Sequence, residues 1–298
     1  MTVAAFADGG FTVRDGLRLH YRDYPGPPAA PVILCLHGLT RNARDFAAFA
    51  ERYASQFRVV VLEFRGRGQS DYDPVPTRYV PMTYAGDVIE LLDHIGVGEA
   101  IFVGTSLGGL VTMAVAAMGP ECVAGSILND VGPELNAEGL ARIQSYLGRD
   151  PQFASWEEAA AAIAHYQGVA LPDYRPDDWL AMAHRNCREE NGSIRFDYDP
   201  AIVIPFQTAG PAPTIDLWPL FAAVTQKPLL VLRGALSDLL SEAAFEAMRA
   251  AAPGAHFVTV PRVGHAPDLG EPEAVAAIDA FLADFLPSRS RSGTTSAG

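Results

Sequence analysis

Four short apolar runs set the pattern of the first half of the chain: PVILCL (Pro31 to Leu36), VVVLEF (Val59 to Phe64), AIFVG (Ala100 to Gly104) and GSILN (Gly125 to Asn129). Each is too short for a buried helix and is apolar at successive positions, so a strand made from it needs cover on both faces. Helical stretches such as Tyr84 to Ile95 and Leu107 to Met118 separate the runs. That alternation predicts an α/β fold, a mostly parallel sheet with helices on both faces. A chain of 298 residues is long enough to bury roughly 75% of its unfolded surface around such a sheet.

The opening GFTVRDGLRLHYRDY alternates apolar and polar residues about Asp15-Gly16, the signature of a hairpin. From about Val131 to Gln226 no strong β run is seen; helical pieces such as SWEEAAAAIAHY and DDWLAMAHRNCREE replace the sheet pattern. It resumes with PLLVLRG (Pro228 to Gly234), a helix around Glu242 to Ala252, AHFVTVPRV (Ala255 to Val263) and a last helix from Glu271 to Leu286. The expected organisation is a core of residues 1–130 and 227–287, a helical insertion at 131–226, and a disordered tail at 288–298.

Net charge is −13, and a single lysine, Lys227, stands among 21 arginines with no basic tract, which argues against nucleic acid as a partner. Cys35, Cys122 and Cys187 lie far apart with no C-x-x-C pair, so neither a disulfide framework nor a zinc site is expected, and no other metal is called for. A reducing, cytoplasmic compartment is the simplest reading, since MTVAAFADGG lacks the basic start and apolar stretch of an export signal. Ala100 to Pro120 is long and uncharged enough to imitate a membrane span. Its Gly-Thr-Ser-Leu-Gly-Gly interior predicts a buried strand, a turn and a helix instead, and no membrane association is expected.

That interior holds Gly104-Thr105-Ser106-Leu107-Gly108, the one G-x-S-x-G of the chain. A serine on a tight strand-to-helix turn is strained, and only glycines leave room for the neighbouring backbone. Backbone N–H groups and the positive helix end then point toward the serine oxygen. A serine needs a base to remove its proton, and the base needs an acid to orient it. His265, in VGHAPDLGEP after the last strand, has the address for the base; Asp238, in RGALSDLLS just past the preceding strand, is the expected acid. Asp130, in LNDVGP, is the alternative acid. His37-Gly38-Leu39-Thr40 follows the first apolar run, and the glycine lets the backbone bend so that the N–H of Leu39 joins that of Leu107 as a pair of oxyanion donors. His37 itself reads as structural.

With these motifs and Phe64-Arg65-Gly66-Arg67-Gly68-Gln69-Ser70 in hand, the chain resembles the α/β-hydrolase superfamily from about Phe11 to Leu286. The resemblance implies the order Ser106, Asp238, His265, an acid after the preceding strand, such as Asp130, in some members, and a cap formed by the insertion. It departs from many relatives in carrying Glu63 and Phe64 where an aspartate precedes the Arg-Gly pair. Relatives with an aspartate nucleophile are set aside by Ser106, and Thr105 weakens an assignment to carbon–carbon hydrolases, which often carry asparagine there. No P-loop or dinucleotide fingerprint follows a strand, so no cofactor is expected.

All three tryptophans, Trp156, Trp179 and Trp218, fall in the insertion with several tyrosines and phenylalanines. Some of these rings must fill the insertion's own core; the rest suggest a small apolar ester or lactone as substrate. Arg185, Arg188 and Arg195 could meet an anion, although Glu189 and Glu190 favour a self-neutralised surface. The expectation is a cofactor-free serine hydrolase of a carboxylic ester or lactone. The alternatives are carbon–carbon or amide hydrolysis with the same triad, or a ligand receptor on this fold. The oligomeric state is left open by the sequence.

Overall fold

The computed structural model describes residues 5–208 and 216–286; the expected tail at 288–298 lies outside the described residues. The ten strands are β1 (Ala7–Thr12), β2 (Arg18–Tyr24), β3 (Val32–Leu36), β4 (Arg58–Leu62), β5 (Ala100–Thr105), β6 (Val123–Asn129), β7 (Cys187–Glu190), β8 (Ser193–Phe196), β9 (Leu229–Gly234) and β10 (His256–Val260). Eight of them form one sheet in the order β1-β2-β4-β3-β5-β6-β9-β10. The β1–β2 hairpin turns at Gly16 (φ 94°) and joins the sheet antiparallel to β4, while β4, β3, β5, β6, β9 and β10 run parallel.

Alternate residues of each central strand face opposite ways, and both faces are apolar. Ile33, Cys35, Val59, Val61, Ile101 and Val103 join one core cluster. Leu34, Leu36, Val60, Leu62 and Phe102 join the other. Helices α1 (Ala47–Tyr53) and α10 (Pro272–Ala283) cover the first face. The second is covered by α2 (Pro81–His94), α3 (Leu107–Met118), α8 (Trp218–Val224) and α9 (Glu242–Ala251). The expected mostly parallel, doubly covered sheet is therefore present.

Between β6 and β9 the chain leaves the sheet and forms α4 (Ala137–Tyr146), α5 (Trp156–Gln167), α6 (Pro176–Asn186), the β7–β8 ribbon and α7 (Ile204–Thr208). Side-chain caps start several of these elements: Asn136 accepts from the Glu138 amide, and Ser155 from that of Glu158, each such cap contributing about 1 kcal/mol. The ribbon adds a short β element to the expected helical insertion. CREE, read as the end of a helix, pairs with Ser193–Phe196 across Asn191 (φ 53°) and Gly192 (φ 78°), and an Asn-Gly step with two positive φ angles is a hairpin turn. Among the described residues no helix is long and apolar enough to cross a membrane; Ala100 to Pro120 divides into β5 and α3.

Candidate active site

Ser106 sits between β5 and α3 with φ 53° and ψ −115°. A non-glycine residue held there is strained, and the surrounding packing must hold it. The packing depends on two glycines. A Cβ on Gly108 would come within 1.9 Å of the Leu36 carbonyl oxygen, and one on Gly104 within 2.5 Å of the Gly108 carbonyl oxygen. With both side chains absent, α3 lies close enough against β3 and β5 to lift Ser106 above the sheet.

The Ser106 hydroxyl donates to Nε2 of His265 at 2.8 Å, and Nδ1–H of His265 donates to Oδ2 of Asp130 at 2.7 Å. The acid beside His265 is therefore Asp130, and the expectation of Asp238 is corrected. The reason lies in strand order. β6 neighbours β5 in the sheet, with Asn129 in register with Thr105, so Asp130 emerges one residue further along on the same edge as Ser106. Asp130 is completely buried; its Oδ1 accepts from the Gly234 amide at 2.8 Å and its Oδ2 from the Ser237 hydroxyl at 2.6 Å. The loop after β9 thus delivers a serine hydroxyl to the acid rather than the acid itself.

Asp238, the next residue, turns to the insertion. Arg142 on α4 donates to both of its oxygens, at 2.5 and 2.8 Å. Burial opposes ionisation of Asp238, but the Arg142 guanidinium prevails and holds its carboxyl below the ordinary range. This bidentate pair fastens α4 to the core.

Leu107 opens α3, so its N–H has no intrahelical acceptor, and Leu39 lines the cleft with Ser106 and His265. The Leu39 loop is held by groups that the sequence reading left unassigned. Nε of the fully buried Arg67 donates to the Leu39 carbonyl at 3.0 Å, while its Nη1 donates to the Arg65 carbonyl and to the Tyr84 hydroxyl. Asn129 similarly ties the His265 loop down, donating to the Pro267 carbonyl at 2.8 Å. The signal available for Arg67 was its place in the Arg-Gly-Arg-Gly loop.

His37 is structural, as expected. Its Nδ1–H donates to the Gly38 carbonyl at 2.8 Å, and its Nε2 accepts from the Phe64 amide at 3.2 Å. Complete burial pushes its pKa down to about 4, against the opposing pull of the Gly38 carbonyl.

The cleft above Ser106 encloses about 670 Å³ including its open mouth. Leu39, Phe46, Ile143, Tyr146 and Leu269 supply apolar wall, and Thr40, Arg41, Asp45, Gln167 and Asp268 supply polar wall. None of the three tryptophans lines it. Trp156 stacks on His184, Trp179 packs against Tyr174, and Trp218 against Phe221. Arg188 and Arg195 are taken by Asp197, Glu190 and Asp150. Among the described residues no group of three or more His, Cys, Asp or Glu side chains could hold a metal ion, and the three cysteines are free.

Residues 33–278 match the sequence model described as "Alpha/beta hydrolase family". The 3-hydroxybutyrate-oligomer hydrolase of Cupriavidus necator is 33% identical over 273 residues, covering 89% of this chain and 92% of the relative. The 2-(acetamidomethylene)succinate hydrolase of Mesorhizobium japonicum is 29% identical over 255 residues, covering 85% and 88%. Among solved structures, an alpha/beta hydrolase from Novosphingobium aromaticivorans superposes with a TM-score of 0.89 at 47% identity, covering 95% of this chain and 99% of that one.

Proposed function

Since the chain belongs to the alpha/beta hydrolase family, we propose that it is a cofactor-free serine hydrolase that cleaves a carboxylic ester through an acyl-enzyme. The observation that carries this reading is the unbroken chain from Ser106 through His265 to Asp130, at 2.8 and 2.7 Å, at the floor of an open cleft. His265 takes the Ser106 proton as the oxygen attacks the ester carbonyl, and Asp130 steadies the imidazolium and its orientation. The N–H groups of Leu39 and Leu107 receive the oxyanion, a contribution of about 10²–10³ in kcat for each such donor. His265 then returns the proton to the leaving alcohol and activates water against the acyl-enzyme.

The cleft wall supports a short, partly polar substrate over a long apolar one, because Thr40, Arg41 and Gln167 stand beside the apolar side chains. The likeness to a 3-hydroxybutyrate-oligomer hydrolase supports the same choice, an ester of a short hydroxy acid. The likeness to a 2-(acetamidomethylene)succinate hydrolase favours a second reading, in which the same triad cleaves a bond other than a simple ester.

The test is turnover by wild type and Ser106→Ala on p-nitrophenyl esters of increasing chain length, lactones and linear hydroxybutyrate dimers. Repeated turnover of a short ester that disappears in the variant is expected. Retained turnover in Ser106→Ala overturns the mechanism, and silence of the wild type on every ester and lactone moves the reading to the second bond type.

A further inference from the structure

Arg41 lines the cleft with a side-chain donor that holds nothing. Its Nη1 is buried and makes no hydrogen bond with any described residue, and its nearest carboxylate, Asp45, is 3.9 Å away. Asp45 is shared with Arg185, at 4.0 Å, and Arg185 in turn stands 3.8 Å from Asp268. All three separations exceed hydrogen-bond length. Asp268 has a closer partner in the Tyr174 hydroxyl.

The position of Arg41 is set by the chemistry next to it. Its amide donates to the Gly38 carbonyl at 3.1 Å, closing the turn that carries Leu39. A Cβ on Gly38 would stand 3.4 Å from Cγ of Arg41 and 3.9 Å from Cβ of Ser106, so the arginine and the serine flank a single bare glycine. Arg41 also lines the smaller neighbouring pocket, with Tyr146, Tyr166 and Asn186. A guanidinium in a walled cleft with a buried, unused N–H lacks an acceptor, and its planar fork matches a carboxylate. Burial raises the Asp45 carboxyl above its ordinary range, against the pull of Arg41.

We propose that Arg41 forms a carboxylate-accepting subsite beside Ser106, so that the substrate is an ester that also carries a free carboxylate, such as a hydroxy-acid oligomer with its acid terminus or the half-ester of a short dicarboxylic acid. This rests on the ester-hydrolase reading for its chemistry, but its test reads binding and is independent of turnover.

In Ser106→Ala, calorimetric titration compares two acids with their neutral amides: the linear 3-hydroxybutyrate dimer against its primary amide, and monomethyl glutarate against its primary amide. One charge-assisted hydrogen-bond pair changes affinity about 10- to 100-fold, so in at least one pair the acid is expected to bind at least tenfold more tightly. Adding Arg41→Gln should bring that ratio close to one, and Arg41→Lys should restore part of it. Equal affinities for acid and amide in both pairs, an unchanged ratio after Arg41→Gln, or no binding of either acid at millimolar concentration overturns the subsite. Failure of the wild type to turn over any ester, with the binding preference intact, overturns the ester reading instead.

Discussion

Arg142 grips both carboxylate oxygens of Asp238 while the adjacent Ser237 hydroxyl donates to Asp130. Neighbouring residues of one loop thus serve different purposes, one fastening the inserted segment and the other supporting the acid. Asp130→Asn should lower kcat by about 10³–10⁴-fold, the scale for a histidine held in the wrong tautomer. Asp238→Asn should lower kcat less than tenfold while weakening the hold on α4, seen as a lower Tm. Steady-state kinetics and thermal unfolding of the two variants decide the assignment, and a reversed order would return Asp238 to the acid role.

Gly108→Ala places a methyl group 1.9 Å from a backbone oxygen of β3, where no side-chain rotation can relieve it. The expected cost is about 3 kcal/mol or more, by displacement of α3 from the sheet. Denaturant unfolding measures it, and a variant as stable as wild type would show that the close approach is not required.

Arg67→Met should lower kcat about 10- to 100-fold with a smaller effect on KM. It frees the Leu39 carbonyl, and with it the loop that carries the proposed oxyanion donor, but leaves Ser106 and His265 in place. Arg67→Lys should not restore kcat, since an ammonium cannot reach the carbonyls of Leu39 and Arg65 and the Tyr84 hydroxyl together. Equal losses in kcat/KM and Tm, with kcat intact, would mark Arg67 as purely structural.

His37 and His20 couple stability to pH in opposite directions. His37 has its folded pKa depressed to about 4 by burial, so the unfolded chain binds more protons between pH 4 and 6.5. Stability then falls as pH drops through that window, by about 3 kcal/mol from the 1.36 kcal/mol per pKa unit. Burial alone would also depress His20, but its bonds to Glu63 and Asp8, each 2.9 Å, raise it instead. Its contribution is full below pH 6.5 and is lost as pH rises through the higher folded value. Denaturant unfolding from pH 4 to 9 should show a flatter acid side in His37→Asn and a flatter alkaline side in His20→Asn.

Much of this arrangement was legible from local pattern. Strands apolar on both faces, the Asp15-Gly16 hairpin, the turn at Ser106 and the addresses of His265, Leu39 and Leu107 all follow from short-range rules. What escaped the sequence was relational. Asp130 and Asp238 each follow a β run, and the choice between them depends on which strand lies beside β5 and on Arg142, 96 residues away along the chain from Asp238, claiming one of them. The tryptophans illustrate the same limit, since composition counts rings but does not say whether they face the cleft or one another. The β7–β8 ribbon was within reach: Asn191-Gly192 is a turn signal, outweighed by the helical pattern before it.

The hydrogen bond from the Gly234 amide to Asp130 spans 104 positions of sequence in a single contact. The chain departs for its excursion and comes home at the same spot, so the excursion resembles a module plugged into a fixed socket. Its elements α4 to α7 can be exchanged by design while the socket keeps its shape, because closure is achieved by the core on either side, whereas α8 stays as cover for the sheet. The side chains that the excursion adds to the cleft, Ile143, Tyr146 and Gln167, can therefore vary apart from Ser106, His265 and Asp130, while Arg41 belongs to the core and stays with the chemistry.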